Sequence, residues 1–304
     1  MRQSATRLVL PVCFAALLMA GCDNTFTPKG TFRPQLVVFC ILDPGADMQV
    51  VRLAVSYDSE VSSNPVPLTP VEVDSAVVLV NDKKRGYAFT DTLIALPGGG
   101  QQRVWISRTL APQSDVAYTL TVRVPGYDPV SVSALMPGKL YPWLKYEKPD
   151  TGYGRIRMMP GYANAQNPPY GYFYRMFVVF TRNDGGPPDE TRMEVPASFD
   201  SETGEAVYAV PMRNSEVSIP VPNVWFAFNR LRGTDTVLVN KQLLVKAYAM
   251  DDHFYRYYKM VLGFDDPLTL RIDRPDLSFI PDGLGLFGMV NTDSMRFNFA
   301  TYVK

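Results

Sequence analysis

The side chain with the clearest chemical role in this 304-residue chain is the thiol of Cys22. Arg2 and Arg7 open the sequence, an apolar stretch runs from Leu8 to Met19, and Ala20-Gly21 precede Cys22, which is the layout of a signal peptide. Small residues before a cysteine fit a lipoprotein peptidase and leave the thiol free for acylation by palmitate-type chains. Met19 stands where leucine is commoner, so an ordinary secretory signal with a chance cysteine is the alternative. A spanning helix fits poorly, because Leu8 to Gly21 is shorter than the roughly 17 to 25 apolar residues a bilayer requires. Removing residues 1–21 with their two arginines leaves 283 residues bearing 28 basic and 30 acidic side chains. Cys13 leaves with the signal and Cys22 is acylated, so Cys40 has no intrachain partner. It lies in Leu36-Val37-Val38-Phe39-Cys40-Ile41-Leu42 and is expected to be a buried small hydrophobe.

His253 is the only imidazole, which excludes a zinc site built on several histidines. A nucleophilic triad would have to use it, and no Gly-x-Ser-x-Gly elbow supplies the serine. Carboxylates are plentiful, and a glycosidase needs only two across a cleft, but spacing in a β protein does not show which pair would meet. Asp265-Asp266 and the stretch Asp273 to Asp276 offer oxygen ligands without a twelve-residue calcium loop. Gly98-Gly99-Gly100 lacks the lysine and hydroxyl of a phosphate loop. Gly283-Leu284-Gly285-Leu286-Phe287-Gly288 does not fit a dinucleotide fingerprint either, and both are expected to be tight turns with φ above zero. No cofactor is indicated. Lys83-Lys84-Arg85 is one basic turn on a near-neutral chain, which argues against a nucleic-acid partner.

Aromatic residues are the surplus. Tyr141, Trp143 and Tyr146, then Tyr170, Tyr172 and Tyr174, form the candidate binding surface. If 170–174 is extended, its three tyrosines share a face that stacks on a sugar or enters a partner interface; alternatively they cover a core.

The elements that would position these residues are strands. Residues 22–33 are polar and aperiodic, a tether between the lipid and the body. Runs 35–42, 49–57, 74–81, 103–109, 116–124 and 130–134 are rich in Val, Leu, Ile, Thr, Tyr and Trp, separated by turns such as Asp43-Pro44-Gly45 and Pro65-Val66-Pro67. In 116–124 Val116, Tyr118, Leu120, Val122 and Val124 alternate with polar neighbours, which predicts one buried and one wet face. Without intervening helices the expected fold is all-β, an immunoglobulin-like β-sandwich over 34–136. Tyr118, following Leu110-Ala111-Pro112-Gln113-Ser114-Asp115, is the candidate for a tyrosine that bonds back to the preceding turn. A proline-rich stretch over 135–172 is expected to be mostly loop with short strands, with a boundary near Pro137. Beyond it 172–181, 191–196, 205–210, 216–220, 224–229, 235–249 and 294–302 are expected strands of a second, mostly antiparallel β domain over 137–304. Asn183-Asp184-Gly185-Gly186 and Ser201-Glu202-Thr203-Gly204 mark its hairpins. One short helix is expected from Asp251 or Asp252 to about Leu262, capped by an acidic residue and ended by Gly263.

Several segments together resemble one family. The anchor cysteine, the strands Phe32 to Leu42 and Val50 to Tyr57, the segment Leu243 to Tyr258 and the ending Ile280 to Gly288 are similar to DUF4249, a family of Bacteroidota lipoproteins of unknown function. Gly-Leu-Gly-Leu-Phe-Gly after an aromatic helix is the most specific part. Where many relatives have a longer Asn-Pro-Phe segment, this chain has Phe264-Asp265-Asp266-Pro267-Leu268. The resemblance implies a lipid-anchored outer-membrane protein with a β-sandwich body and an accessory role beside a TonB-dependent receptor in nutrient uptake. It carries no catalytic residues.

The sequence therefore predicts a noncatalytic, membrane-anchored binding or accessory module. A carboxylate-based, glycosidase-like hydrolase and a purely structural envelope protein are the alternatives.

Overall fold

The computed structural model describes residues 33–56, 71–95, 99–162, 167–182, 190–232, 238–263 and 278–303. The signal, Cys22, the tether before Arg33, Pro65-Val66-Pro67, Gly98, Asn183-Asp184-Gly185-Gly186, Asp265-Asp266 and the stretch Asp273 to Asp276 lie outside these residues. Within them the protein is a mostly β, multi-sheet fold with a few short helices.

The first half contributes β1 (Leu36–Leu42), β2 (Gln49–Val55), β3 (Val71–Glu72), β4 (Val77–Asn81), β5 (Gly86–Ala95), β6 (Gln101–Ser107), β7 (Ala117–Arg123) and β8 (Val130–Leu135). Strict alternation dictates their faces: Leu36, Val38, Cys40 and Leu42 on β1 point inward, as do Tyr118, Leu120 and Val122 on β7. β5 switches partner midway, pairing with β4 up to Phe89 and with β6 from Thr90. The strands before and after that switch close over one core containing Val38, Val51, Val80, Trp105 and Leu120. Cys40 is buried in it, and burial pushes its thiol pKa up.

Tyr118 is 1 % exposed, and its hydroxyl accepts a 2.8 Å hydrogen bond from the Gln113 N–H, so it does bond back to the preceding turn. Tyr118→Phe is expected to lower the unfolding free energy by about 1 kcal/mol, read from the urea midpoint, because the Gln113 amide loses its acceptor.

The second half contributes β9 (Leu140–Glu147), β10 (Arg155–Tyr162), β11 (Gly171–Arg182), β12 (Glu190–Glu194), β13 (Ser198–Phe199), β14 (Ala206–Val207), β15 (Val217–Pro220), β16 (Leu238–Met250) and β17 (Leu284–Asn298). Helices α1 (Val221–Arg232), α2 (Asp252–Gly263) and α3 (Phe299–Tyr302) complete it. One long sheet runs β12-β11-β16-β17-β1-β2-β6-β5-β4-β7-β8, with β3 beside β2. A three-stranded sheet, β15-β10-β9, packs over its second half around Leu140, Ile156, Met158, Tyr174 and Val245.

β17 joins the halves. Its first residues pair with β1, from Val37 opposite Leu284 to Leu42 opposite Met289, and Val290 to Asn298 pair with β16. The chain thus enters β1 at one end of a fifteen-residue strand, roughly 45 Å from its other end at about 3.3 Å per residue.

Several expectations change. The β1–β17 pair, which joins the halves, is parallel, against an expectation of antiparallel sheets in the first half and mostly antiparallel ones in the second. The 284–288 stretch is strand rather than a turn, although Gly285 does have positive φ, 111°. Residues 224–229 lie in α1: Pro222 fits a first helical turn, and Val221, Val224, Ala227 and Phe228 recur on one buried face. The strand expected over 294–302 stops at Asn298, whose side chain accepts from the Ala300 N–H and starts α3. Among the described residues three helices therefore stand where the sequence predicts one. Most of 140–162 is β hairpin, and β5 is a strand that the sequence pattern does not mark.

Candidate functional site

The outer face of β9 and β10 is the most exposed aromatic feature of the second half's strands. Along β9 alternation sends Leu140, Pro142 and Leu144 inward and Tyr141, Trp143 and Lys145 outward. Tyr141 is 39 % and Trp143 51 % exposed. Antiparallel pairing sets Gly161 opposite Tyr141 and Met159 opposite Trp143 on the same face. Gly161 carries no side chain to flank the Tyr141 ring. Next along the face Arg157 donates to Glu147 at 2.9 Å and to Glu216 at 3.2 Å. At the other end the Lys139 ammonium lies 5.2 Å from the Tyr141 ring centroid and 3.7 Å from Asp293. The result is a flat aromatic strip with polar groups at both ends, suited to stacking on a sugar ring or to burial against a partner.

The structure separates the other four candidates from this face. Tyr146 packs against the second core from the inner side of β9. Tyr172 and Tyr174 are buried, at 7 % and 1 %, opposite Ala249 and Ala247, whose small side chains leave room for the rings. The Tyr174 hydroxyl donates to the Ser215 carbonyl at 2.9 Å. The expected surface therefore loses both rings to the core. Tyr170 precedes β11 and joins a different cluster, with Tyr255 and Phe173. The Arg213 guanidinium lies 3.7 Å from its ring centroid, and Arg256 donates to its hydroxyl at 3.4 Å. Tyr170, Tyr172 and Tyr174 therefore do not share a face.

The aromatic helix clamps the junction. Phe39 meets Tyr257, Phe173 meets Tyr258, and His253 Nδ1 lies 3.0 Å from the Phe287 carbonyl oxygen, so α2 spans β1, β11 and β17. Asp251 caps α2 by accepting from the Phe254 N–H at 2.9 Å. On the first-half side, the Asn291 amide, 2 % exposed, donates to Ser114 Oγ and to the Pro137 carbonyl.

Beside this junction lies a cleft of about 290 Å³, bordered by Ser133, Leu135, Asn167, Tyr170, Asp251 and His253. Its carboxylates, Asp251 and Asp252, are consecutive residues on one wall, and Asp252 is held by Arg256 at 2.7 Å. They do not oppose one another across the cleft. Burial pushes the Asp251 pKa up to about 6, against the lowering effect of the Phe254 and Met289 backbone and of His253. A raised carboxyl pKa means that ionisation opposes folding. The destabilisation is absent below the unfolded value near 4, grows as pH rises, and is complete above about 6. Two pKa units correspond to about 3 kcal/mol. Asp251→Asn keeps the capping acceptor, so it is expected to raise stability at pH 7.5 while leaving it nearly unchanged at pH 4, as urea midpoints at the two values would show.

Among the described residues no three of His, Cys, Asp and Glu gather as a metal cluster. No helix among them is long and apolar enough to cross a membrane.

Residues 23–296 match the family model described as Domain of unknown function (DUF4249). No curated protein matches the sequence significantly. Among solved structures, a segment of two fibronectin type-III domains from chicken tenascin aligns with 72 % of this chain and 91 % of its own, at 11 % identity and a TM-score of 0.16.

Proposed function

Since the chain belongs to the DUF4249 family, we propose that it is an envelope lipoprotein held by acyl chains on Cys22, acting as a noncatalytic binding or accessory module at the outer membrane. The proposed partner is a TonB-dependent receptor in nutrient uptake. The observation that carries the binding role is the exposure of Tyr141 and Trp143 side by side on the outer face of β9. Large aromatics on a flat sheet face bury much apolar area with few torsions to order, which suits them to recognition.

In this reading residues 34–136 form an immunoglobulin-like sandwich and 137–304 a second unit. β1 starts beside Leu284, and the β9–β10 face sits near Asp293, toward the opposite end of β17. A carboxylate hydrolase is less well supported, because the carboxylates of the junction cleft share one wall.

The test is a pull-down from solubilised outer membranes with the lipidated protein, comparing it with a Tyr141→Ala, Trp143→Ala variant. The expected result is recovery of a TonB-dependent receptor by the parent and at least roughly tenfold less by the variant. Equal recovery by both would reject the face. Recovery of no receptor by either would reject the partner.

A further inference from the structure

β8 ends the long sheet, and its outer edge differs from the far end of that sheet and from the edges of the three-stranded sheet. At the opposite end β12, Glu190-Thr191-Arg192-Met193-Glu194, is charged at three of five positions, with Glu190 paired to Arg296 and Glu194 to Arg175. In the three-stranded sheet β9 contains Pro142 and β15 ends on Pro220. Charges and prolines are what protect sheet edges from other strands. β8, Val130-Ser131-Val132-Ser133-Ala134-Leu135, has neither.

The hydrogen-bonding register shows which of its groups are open. Met136 donates its N–H to the Val116 carbonyl, and the same register sets Ala134 opposite Tyr118 and Val132 opposite Leu120. Backbone groups alternate sides along a strand. The N–H and C=O of Ala134 and Val132 therefore face β7, and those of Ser133 and Leu135 face away. Among the described residues nothing bonds to these outward groups. At the start of the strand the turn at Gly283 lies against the buried Val130 side chain. Around Ser133 and Leu135 the edge opens into the junction cleft, with Tyr170 and Asp251 among its other lining residues.

We propose that this edge and cleft bind an extended segment of a partner protein, which adds as a strand to Ser133 and Leu135 and places a lysine or arginine beside Asp251. Unpaired N–H and C=O groups in strand geometry are matched only by another extended main chain. The charge follows from the wall opposite the edge. Arg256 pairs with Asp252, whereas Asp251 is buried and, among the described residues, makes no ion pair, and a cation entering the cleft supplies one. This site is separate from the β9–β10 face and does not depend on it.

The test uses the full mature chain in detergent and a blocked hexapeptide, Val-Thr-Val-Lys-Val-Thr, followed by amide chemical shifts. The expected result is saturable shifts at Ser133 and Leu135 with Kd at or below about 1 mM. Ser133→Pro removes one outward N–H without touching the β7 ladder, and should weaken binding roughly tenfold or more. A peptide N-methylated at alternate residues should lose binding to the unaltered protein, so the test survives a misfolded proline variant. Exchanging the peptide lysine for glutamate should weaken binding, and Trp143→Ala should not. Absence of shifts at β8, or equal affinity for the N-methylated peptide, would overturn the proposal.

Discussion

Gly285→Ala is expected to destabilise the protein by about 4 kcal/mol, the sum of a left-handed backbone penalty and a steric overlap that neighbouring atoms cannot relieve. Gly285 has φ of 111°, and a Cβ there would lie 2.0 Å from the Val38 carbonyl oxygen. That oxygen belongs to β1, directly opposite Gly285 in the parallel pair, so relief requires the two strands to part. Both strands are central, and Phe287 and Met289, fully buried, follow immediately. Urea unfolding of the variant should show the lowered midpoint, and a loss below about 1 kcal/mol would show that the parallel pair yields easily. Gly288 is a useful comparison. A Cβ there would meet the Phe254 Cβ of α2 at 2.8 Å, with no positive φ. Gly288→Ala should therefore cost less and loosen α2 rather than β1.

Cys22→Ala is expected to move the protein from the membrane fraction to the soluble fraction, an all-or-none change. Several acyl chains, each worth about 0.8 kcal/mol per buried CH₂, hold a protein lastingly, and the described body offers no helix able to replace them. Fractionation of cells expressing the variant measures this directly. A variant that stayed with the membrane, or a mature N-terminus without fatty acid by mass spectrometry, would remove the anchor from the account.

The strands with one buried face were legible because alternation needs no partner to be recognised. β1, β2 and β7 follow it strictly. β5 escaped because its second half, Thr90-Asp91-Thr92-Leu93-Ile94-Ala95, buries no alternate residue and pairs across a sheet change. In β9 and β10 the prolines looked like breakers. They sit opposite one another, Pro142 on an edge strand where its missing N–H costs no ladder bond. α1 was hidden by composition, since Val224-Trp225-Phe226-Ala227-Phe228 favours strands until packing decides.

The Gly-Leu-Gly-Leu-Phe-Gly segment marked the family, but its glycines serve close approach to β1 and α2, contacts that are distant in sequence. The same limit governs the site. Tyr141 and Trp143 differ from Tyr172 and Tyr174 only in which sheet face they occupy, and pairing with β10 and β16 fixes those faces. The cap at Asp251 and the bond to Tyr118 were legible because both are local.

The binding role is tested most directly by oxidative footprinting of Trp143 in intact membranes and in the purified lipidated protein. Its exposure predicts rapid oxidation in the purified protein and at least roughly tenfold protection in membranes that contain the partner, with Trp225 changing little as an internal reference. Equal oxidation of Trp143 in both settings would contradict a bound β9–β10 face.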